Sequence, residues 1–161
     1  MIAEEFRVVA VVYIAVLAPL TIYFLNKHKI PDWVPSFYIV GIIVCALGWE
    51  LWFTYGWIDG DPVDSRRSEV LNNWLPKNIN WLLNSMADAG TVLIGGVWLM
   101  WISHKKNSKV FTQWNWSAFC ILMIWCIGQN ILVEMFLYHD QLAEGKPLSW
   151  APLSPFGSYF N

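Results

Sequence analysis

The chain has 161 residues, of which 57% are hydrophobic and only 14% are charged. Soluble domains carry about 25% charged residues, so this composition is typical of a membrane protein. The net charge of −2 argues against a nucleic-acid-binding surface. The length leaves no room for an extramembrane catalytic domain beside several spans, so residues 1–161 are predicted to form a single transmembrane domain.

Four apolar stretches predict an all-α bundle of four transmembrane helices with short loops, because a helix needs about 20 such residues to cross a bilayer. The predicted spans are residues 6–26, 34–57, 79–103 and 116–138. Glu4 and Glu5 precede the first stretch where a cleaved signal peptide would carry basic residues, so that stretch is predicted to be a retained helix. The Pro- and aromatic-rich segment 145–161 is predicted to be a non-helical tail, either folded over the bundle or disordered.

Lysines are concentrated in two of the predicted loops. They are Lys27 and Lys29 after the first span, and Lys105, Lys106 and Lys109 after the third. The positive-inside rule predicts that these loops are cytoplasmic and that both termini and the loop 58–78 are not. The chain is therefore expected to be a multi-pass integral protein surrounded by the lipid bilayer, and a homo-oligomer is left open.

Three acidic residues lie inside the predicted spans, in which the only basic residue is Arg7 at the start of the first: Glu50, Asp88 and Glu134. An ionised carboxylate in hydrocarbon is costly, so such residues usually face the bundle interior. These acids must be protonated, share protons or bind something cationic. Helical spacing adds an amide to the face of two of them, since Asn84 precedes Asp88 and Asn130 precedes Glu134 by four residues.

The three acids are predicted to lie at similar depth and to share one pocket. The residues expected to contact a substrate there are Trp49, Tyr55, Trp81, Asn84, Asn130 and Tyr138. The alternative is that the polar residues only join helices through hydrogen bonds. The glycines of the third span, Gly90, Gly95 and Gly96, predict close approach of a neighbouring helix.

No metal and no cofactor are expected. The paired Glu-x-x-His motifs of di-iron bundles and any Gly-rich nucleotide-binding motif are missing from the sequence. His28 and His104 lie at span ends away from the acids, and the three cysteines show no CxxC spacing.

These residue types favour acid–base chemistry. Burial keeps one carboxyl protonated beside a second that can accept a proton, and aromatic faces stabilise a developing carbocation. This combination suits a cofactor-free isomerase or cyclase that acts on an apolar isoprenoid or sterol-like lipid. Glu50 is then the acid, and Glu134 or Asp88 the base.

The segment Cys45–Phe53, C-A-L-G-W-E-L-W-F, resembles the second-helix motif of the small integral-membrane terpene cyclases of fungal meroterpenoid pathways. The resemblance implies protonation-initiated cyclisation of an epoxidised polyprenyl substrate, with Glu50 as the essential acid. The family places a second acidic residue in a late helix, where Glu134 is a positional analogue without a matching motif. The family is also longer than this chain, and the resemblance covers under a tenth of it.

Two other classes remain open. Carboxyls beside Trp and Tyr also suit a proton- or cation-coupled transporter, or a binding protein for a cationic amphiphile. Alternatively, the chain is an accessory subunit whose acids face a partner within a larger membrane complex. A retained small molecule, a pH-dependent flux or a tightly held foreign subunit would distinguish these classes.

Overall fold

The computed structural model describes residues 2–56 and 61–133 of the chain. This part is all-helical and contains no strand. The helices before the third predicted span are α1 (Ala3–Asn26), α2 (Val34–Leu47), α3 (Trp49–Tyr55), α4 (Val63–Arg66) and α5 (Glu69–Trp74). They are followed by α6 (Lys77–Ala89), a π-helix (Gly90–Gly95), α7 (Gly96–Ser103), a 3-10 turn (Ser108–Phe111) and α8 (Trp116–Leu132).

Two continuous helices are long and apolar enough to cross a membrane, and a bent pair makes a third candidate. The two are α1, with 24 residues, and the 27-residue run Lys77–Ser103. The bent pair is α2 with α3, which turn by 45° at Gly48 where the sequence predicted one straight span. The described part of α8 is apolar but has only 17 residues. The expected helical membrane architecture is therefore supported, whereas a bundle of four spans stays a prediction.

The bend requires a glycine at position 48. A Cβ atom at this position would lie 2.8 Å from the Val44 carbonyl oxygen, which is closer than real Cβ atoms approach backbone. The break leaves the last carbonyls of α2 without partners inside the helix. The Gly48 N–H bonds to the carbonyls of Val44 and Cys45, and the Trp81 indole donates to the carbonyl of Ala46 at 2.8 Å.

We expect Gly48→Ala to lower the free energy of unfolding by about 1–3 kcal/mol, because the backbone must shift to admit the methyl group. Gly128→Ala is the matched control, since a Cβ there meets nothing within 4 Å. This control should change stability by about 1 kcal/mol or less, and in the stabilising direction. Unfolding in mixed micelles measures both, and equal stability of the two variants would contradict the steric account.

The loop between the second and third predicted spans is folded. Its helices α4 and α5 pack on α3 and on the start of α1, respectively. Ser68 caps α5 by accepting from the Leu71 N–H, and its hydroxyl donates to Glu5 of α1. Lys77 pairs with Asp64 at 2.8 Å and lowers the pKa of that carboxyl. This segment therefore closes one end of the helix bundle.

Besides a small cluster of Phe53 and Val63, apolar side chains form two buried clusters at different positions along α1. One contains Val8 and Val9 of α1 with Leu71 and Leu75 of α5. The other is built on Ile30, Val34, Tyr38, Ala89, Ile94 and Val97. Many large apolar side chains on α1, α2 and α8 point outward instead, for example Leu25 at 79% exposure and Ile124 at 72%. Such an outer surface is suited to lipid rather than to water.

Candidate functional site

A cavity of about 570 Å³ lies between the two clusters, against the middle of α1. Its walls come from α1, α2, α3, α6, the π-helix and α8, and most of its lining is apolar. The polar side chains on its lining are Cys45, Glu50, Asn84, Asp88, Thr91, Gln129 and Asn130. Two of the three predicted acids and both predicted amides thus border one cavity.

Glu50 is held at the first turn of α3, just after the bend at Gly48. It is 2% exposed, and its Oε2 accepts a hydrogen bond of 3.0 Å from the hydroxyl of Thr54, which is fully buried one turn later. The bend turns this first residue pair of α3, Trp49 and Glu50, onto the cavity lining. Trp49 also contacts the ring of Trp52 at 4.7 Å between centroids.

Asp88 lies on the part of the lining that α6 forms, one turn after Asn84. Asn84 is 7% exposed, so this wall is largely closed to the exterior. The π-helix begins two residues after Asp88, and short π segments occur frequently at functional sites. The Trp125 indole donates to the Thr91 carbonyl at 2.7 Å and ties the π-helix to α8.

The glycines around the π-helix allow the close approach that the sequence predicted. A Cβ at Gly95 would lie 3.1 Å from Nε1 of Trp125, and one at Gly90 would lie 3.2 Å from Pro19 of α1. These contacts bring α1 and α8 against the segment that carries Asp88. The cavity is therefore bordered by all of the long helices in the described part of the chain.

Helix α8 contributes Gln129, Asn130 and Val133 to the lining, at the end of its described residues. The third predicted acid, Glu134, follows directly in the sequence but lies outside the described residues, as do Tyr138 and the tail 145–161. Whether Glu134 shares the cavity with Glu50 therefore stays a prediction.

Two residues expected to contact substrate, Trp81 and Tyr55, are not on the lining of this cavity. The Trp81 indole reaches the Ala46 carbonyl, and the Tyr55 hydroxyl donates to Asn78 Oδ1 at 2.9 Å. Their rings pack edge to face, 6.2 Å apart. Both side chains join α6 to the region of the bend, so their contacts position Glu50 indirectly.

A cation lies beside one aromatic wall of the cavity. The guanidinium of Arg66 stands 4.8 Å from the ring centroid of Phe53, a lining residue, and donates to the Phe53 carbonyl at 2.6 Å. Burial lowers the pKa of Arg66 to about 10, so the side chain stays protonated at neutral pH. This contact, which no sequence pattern indicates, attaches the loop helix α4 to the end of α3.

The cavity opens towards the lipid-facing surface at α2. Phe37 and Val44 line the cavity, yet they are 60% and 65% exposed. Side chains that border a cavity and the outer surface at once mark its mouth.

Within residues 2–56 and 61–133, no group of three or more His, Cys, Asp or Glu side chains is arranged to hold a metal ion. Cys45 also lies on the cavity lining. Comparison of the chain with family models, with curated proteins and with solved structures finds no match.

Proposed function

We propose that the protein is a membrane-embedded, cofactor-free acid–base enzyme that isomerises or cyclises an apolar isoprenoid or sterol-like lipid. The observation that carries the proposal is that Glu50 and Asp88 border one largely apolar cavity that opens to the lipid-facing surface. Two carboxyl groups in one dry site can divide the roles of acid and base between them.

In the isomerase form, the carboxylic acid of Glu50 gives its proton to one carbon of a substrate alkene. The resulting carbocation loses a proton from a neighbouring carbon to the carboxylate of Asp88, and the double bond forms in its new position. The reaction needs no oxidant or reductant. Transfer of the proton from Asp88 back to Glu50, directly or through water, resets the site.

In the cyclase form, the proton goes to an epoxide oxygen. The C–O bond breaks, the electron pair of a nearby alkene forms the new C–C bond, and the final cation loses its proton to the base. The resemblance around Glu50 to membrane terpene cyclases implies this second form. The same two carboxyl groups serve both forms.

Three further features support the assignment of roles. The hydrogen bond from Thr54 fixes the orientation of the Glu50 carboxyl group. The rings of Trp49 and Phe37 border the cavity and can stabilise a developing positive charge by cation–π attraction. The apolar lining keeps water away from the cation, which water would otherwise capture as an alcohol.

Solvent deuterium tests the proposal, because an alkene protonated by a carboxyl group that exchanges with D₂O acquires a C–D bond. The protein in liposomes is incubated in D₂O with linear polyprenes, epoxidised polyprenes and sterols that carry a ring double bond. Mass spectrometry then follows deuterium incorporation and, for epoxides, conversion to an isomer of equal mass. The proposal predicts turnover of at least one of these classes.

Asp88→Asn should reduce that turnover by about 10²-fold, because an amide cannot accept the proton that the cation must lose. Asp32→Asn removes an exposed carboxylate from the loop between α1 and α2 and is the matched control, with unchanged turnover expected. No turnover in any class, or equal rates for the two variants, would contradict the enzyme. Binding of an organic cation without turnover would favour a carrier or binding protein instead.

A further inference from the structure

The end of the bundle opposite the folded loop carries half of the chain's ten basic residues. They are Lys27 and Lys29, between α1 and α2, and Lys105, Lys106 and Lys109, after α7. None of the five forms an ion pair with another residue of the described part of the chain. The one carboxylate on these two loops, Asp32, is exposed. Within residues 2–56 and 61–133, the cluster is therefore a concentrated positive charge without an ion-pair partner.

Two of these lysines converge on one aromatic ring. The ammonium of Lys29 lies 5.8 Å from the ring centroid of Trp101, and that of Lys106 lies 5.9 Å from it, although the two residues come from different loops. Trp101 itself is only 3% exposed, so packing holds its ring in place where the two lysines contact it. Cation–π contacts of this kind hold both ammonium groups against the same ring.

The backbone at Lys105 and Lys106 has a conformation that is unusual for lysine. Lys105 and Lys106 have φ angles of 54° and 60°, in the left-handed region that glycine and asparagine adopt more easily. The Lys106 N–H donates to the Trp101 carbonyl at 2.9 Å, which closes the end of α7. The chain places lysine twice where the geometry alone favours glycine.

Exposed tryptophans indicate the level of this end in the membrane. Trp33 is 42% exposed on the loop of Lys29, and Trp114 and Trp116 are each 68% exposed at the start of α8. Tryptophan is enriched at the headgroup level of bilayers, where its ring is apolar and its N–H remains hydrated. The two lysines are thus placed where phospholipid phosphates lie, rather than out in the aqueous phase.

We propose that Lys29 and Lys106, supported by Trp101, bind the phosphate of an anionic phospholipid at this face of the membrane. The chemistry is that of a phosphate monoanion between two ammonium groups, and the surrounding tryptophans assign the phosphate to a lipid. Basic sites between transmembrane helices recognise anionic headgroups in this way. The site is independent of the cavity and of the enzyme proposed for it.

Native mass spectrometry of the full chain in neutral detergent tests this site. The protein is offered equal amounts of phosphatidylglycerol and phosphatidylcholine with the same acyl chains. We expect preferential retention of phosphatidylglycerol, and an affinity about 30-fold lower in the double variant Lys29→Gln/Lys106→Gln. Equal retention of the two lipids by the wild-type protein would overturn the proposal.

The double variant Lys27→Gln/Lys109→Gln is the matched control, because it loses the same charge from the same two loops without touching Trp101. It should keep its affinity for phosphatidylglycerol within about threefold, since salt screens the attraction between the lipid phosphate and exposed charges that do not contact it. An equal loss in both double variants would show general attraction to anionic lipid and would contradict a defined site.

Two further measurements separate the remaining outcomes. The variant Lys29→Arg/Lys106→Arg keeps both positive charges and should retain phosphatidylglycerol as the wild-type protein does. Loss of retention in this variant, with a native helix content by circular dichroism, would overturn the proposal. Inorganic phosphate in excess should not displace the lipid. Displacement by inorganic phosphate would assign the site to a free phosphate instead of a membrane lipid.

Discussion

Glu50→Gln is expected to reduce turnover by about 10³-fold while leaving the fold intact, because glutamine has nearly the same shape but no acidic proton to give. The buried side chain would keep the hydrogen bond from Thr54 through its amide oxygen. Turnover is measured on the substrate that the wild-type protein converts, by formation of a C–D bond in D₂O for an alkene or by conversion to an isomer of equal mass for an epoxide.

Glu69→Gln is the control for this substitution, since Glu69 is exposed in the first turn of α5 and does not line the cavity. Its turnover should equal that of the wild-type protein. The two variants should also have the same thermal transition in detergent. A Glu50→Gln protein that retains full turnover would remove Glu50 as the acid and contradict the proposed mechanism.

Arg67→Met should lower the free energy of unfolding by about 3 kcal/mol, the largest effect on stability that the described structure predicts. The guanidinium donates to Asn72 Oδ1 at 2.9 Å, to Asn80 Oδ1 at 3.0 Å and to the Leu75 carbonyl. Asn80 is 1% exposed and Leu75 is fully buried, so water cannot replace these bonds. Methionine fills similar space but leaves the acceptors unpaired.

Two controls separate the loss of bonds from the loss of charge. Lys27→Met removes an exposed cation and should change the free energy of unfolding by less than about 1 kcal/mol. Arg67→Lys keeps the charge but cannot donate in three directions with the same planar geometry, so it should lie between the wild-type protein and Arg67→Met. Unfolding in mixed micelles that shows Arg67→Met as stable as the wild-type protein would contradict this account.

The helical architecture could be predicted because composition and long apolar stretches determine it. Helix α1 extends over the first predicted span, and the run Lys77–Ser103 contains the third. The break in the second span was missed because Gly48 stands inside an apolar run without a proline or a polar cluster. A hydropathy profile shows such a run as one continuous apolar stretch. The requirement for glycine at position 48 is visible only in the structure, where a Cβ atom would contact the Val44 carbonyl.

Part of the candidate site could also be predicted. Spacing by four residues placed Asn84 with Asp88 correctly on one face, and both border the cavity with Glu50. Trp81 has a spacing that suits the same face, but its indole turns to the Ala46 carbonyl that the helix break leaves without a partner. An unpredicted break therefore redirected a predicted site residue.

The folded loop illustrates a different limit. Pro62, Ser68 and Pro76 stand immediately before α4, α5 and α6, as residues that begin helices often do. These residues are visible in the sequence, but a segment of low hydropathy by itself indicates only a loop between two spans. The hydrogen bond from Arg66 of α4 to the Phe53 carbonyl of α3 joins residues that are thirteen apart in the sequence. No periodic sequence pattern indicates such a contact.

The most direct test of the central claim is the native mass spectrum of gently purified protein, because the claim requires an apolar lipid in the cavity of Glu50 and Asp88. We predict that the wild-type protein retains a neutral isoprenoid or sterol-like molecule. Val44→Trp, at the cavity mouth, should lose it, whereas Val40→Trp, equally outward on α2 but off the lining, should keep it. Equal retention by both variants, or a retained organic cation in place of a neutral lipid, would contradict the account.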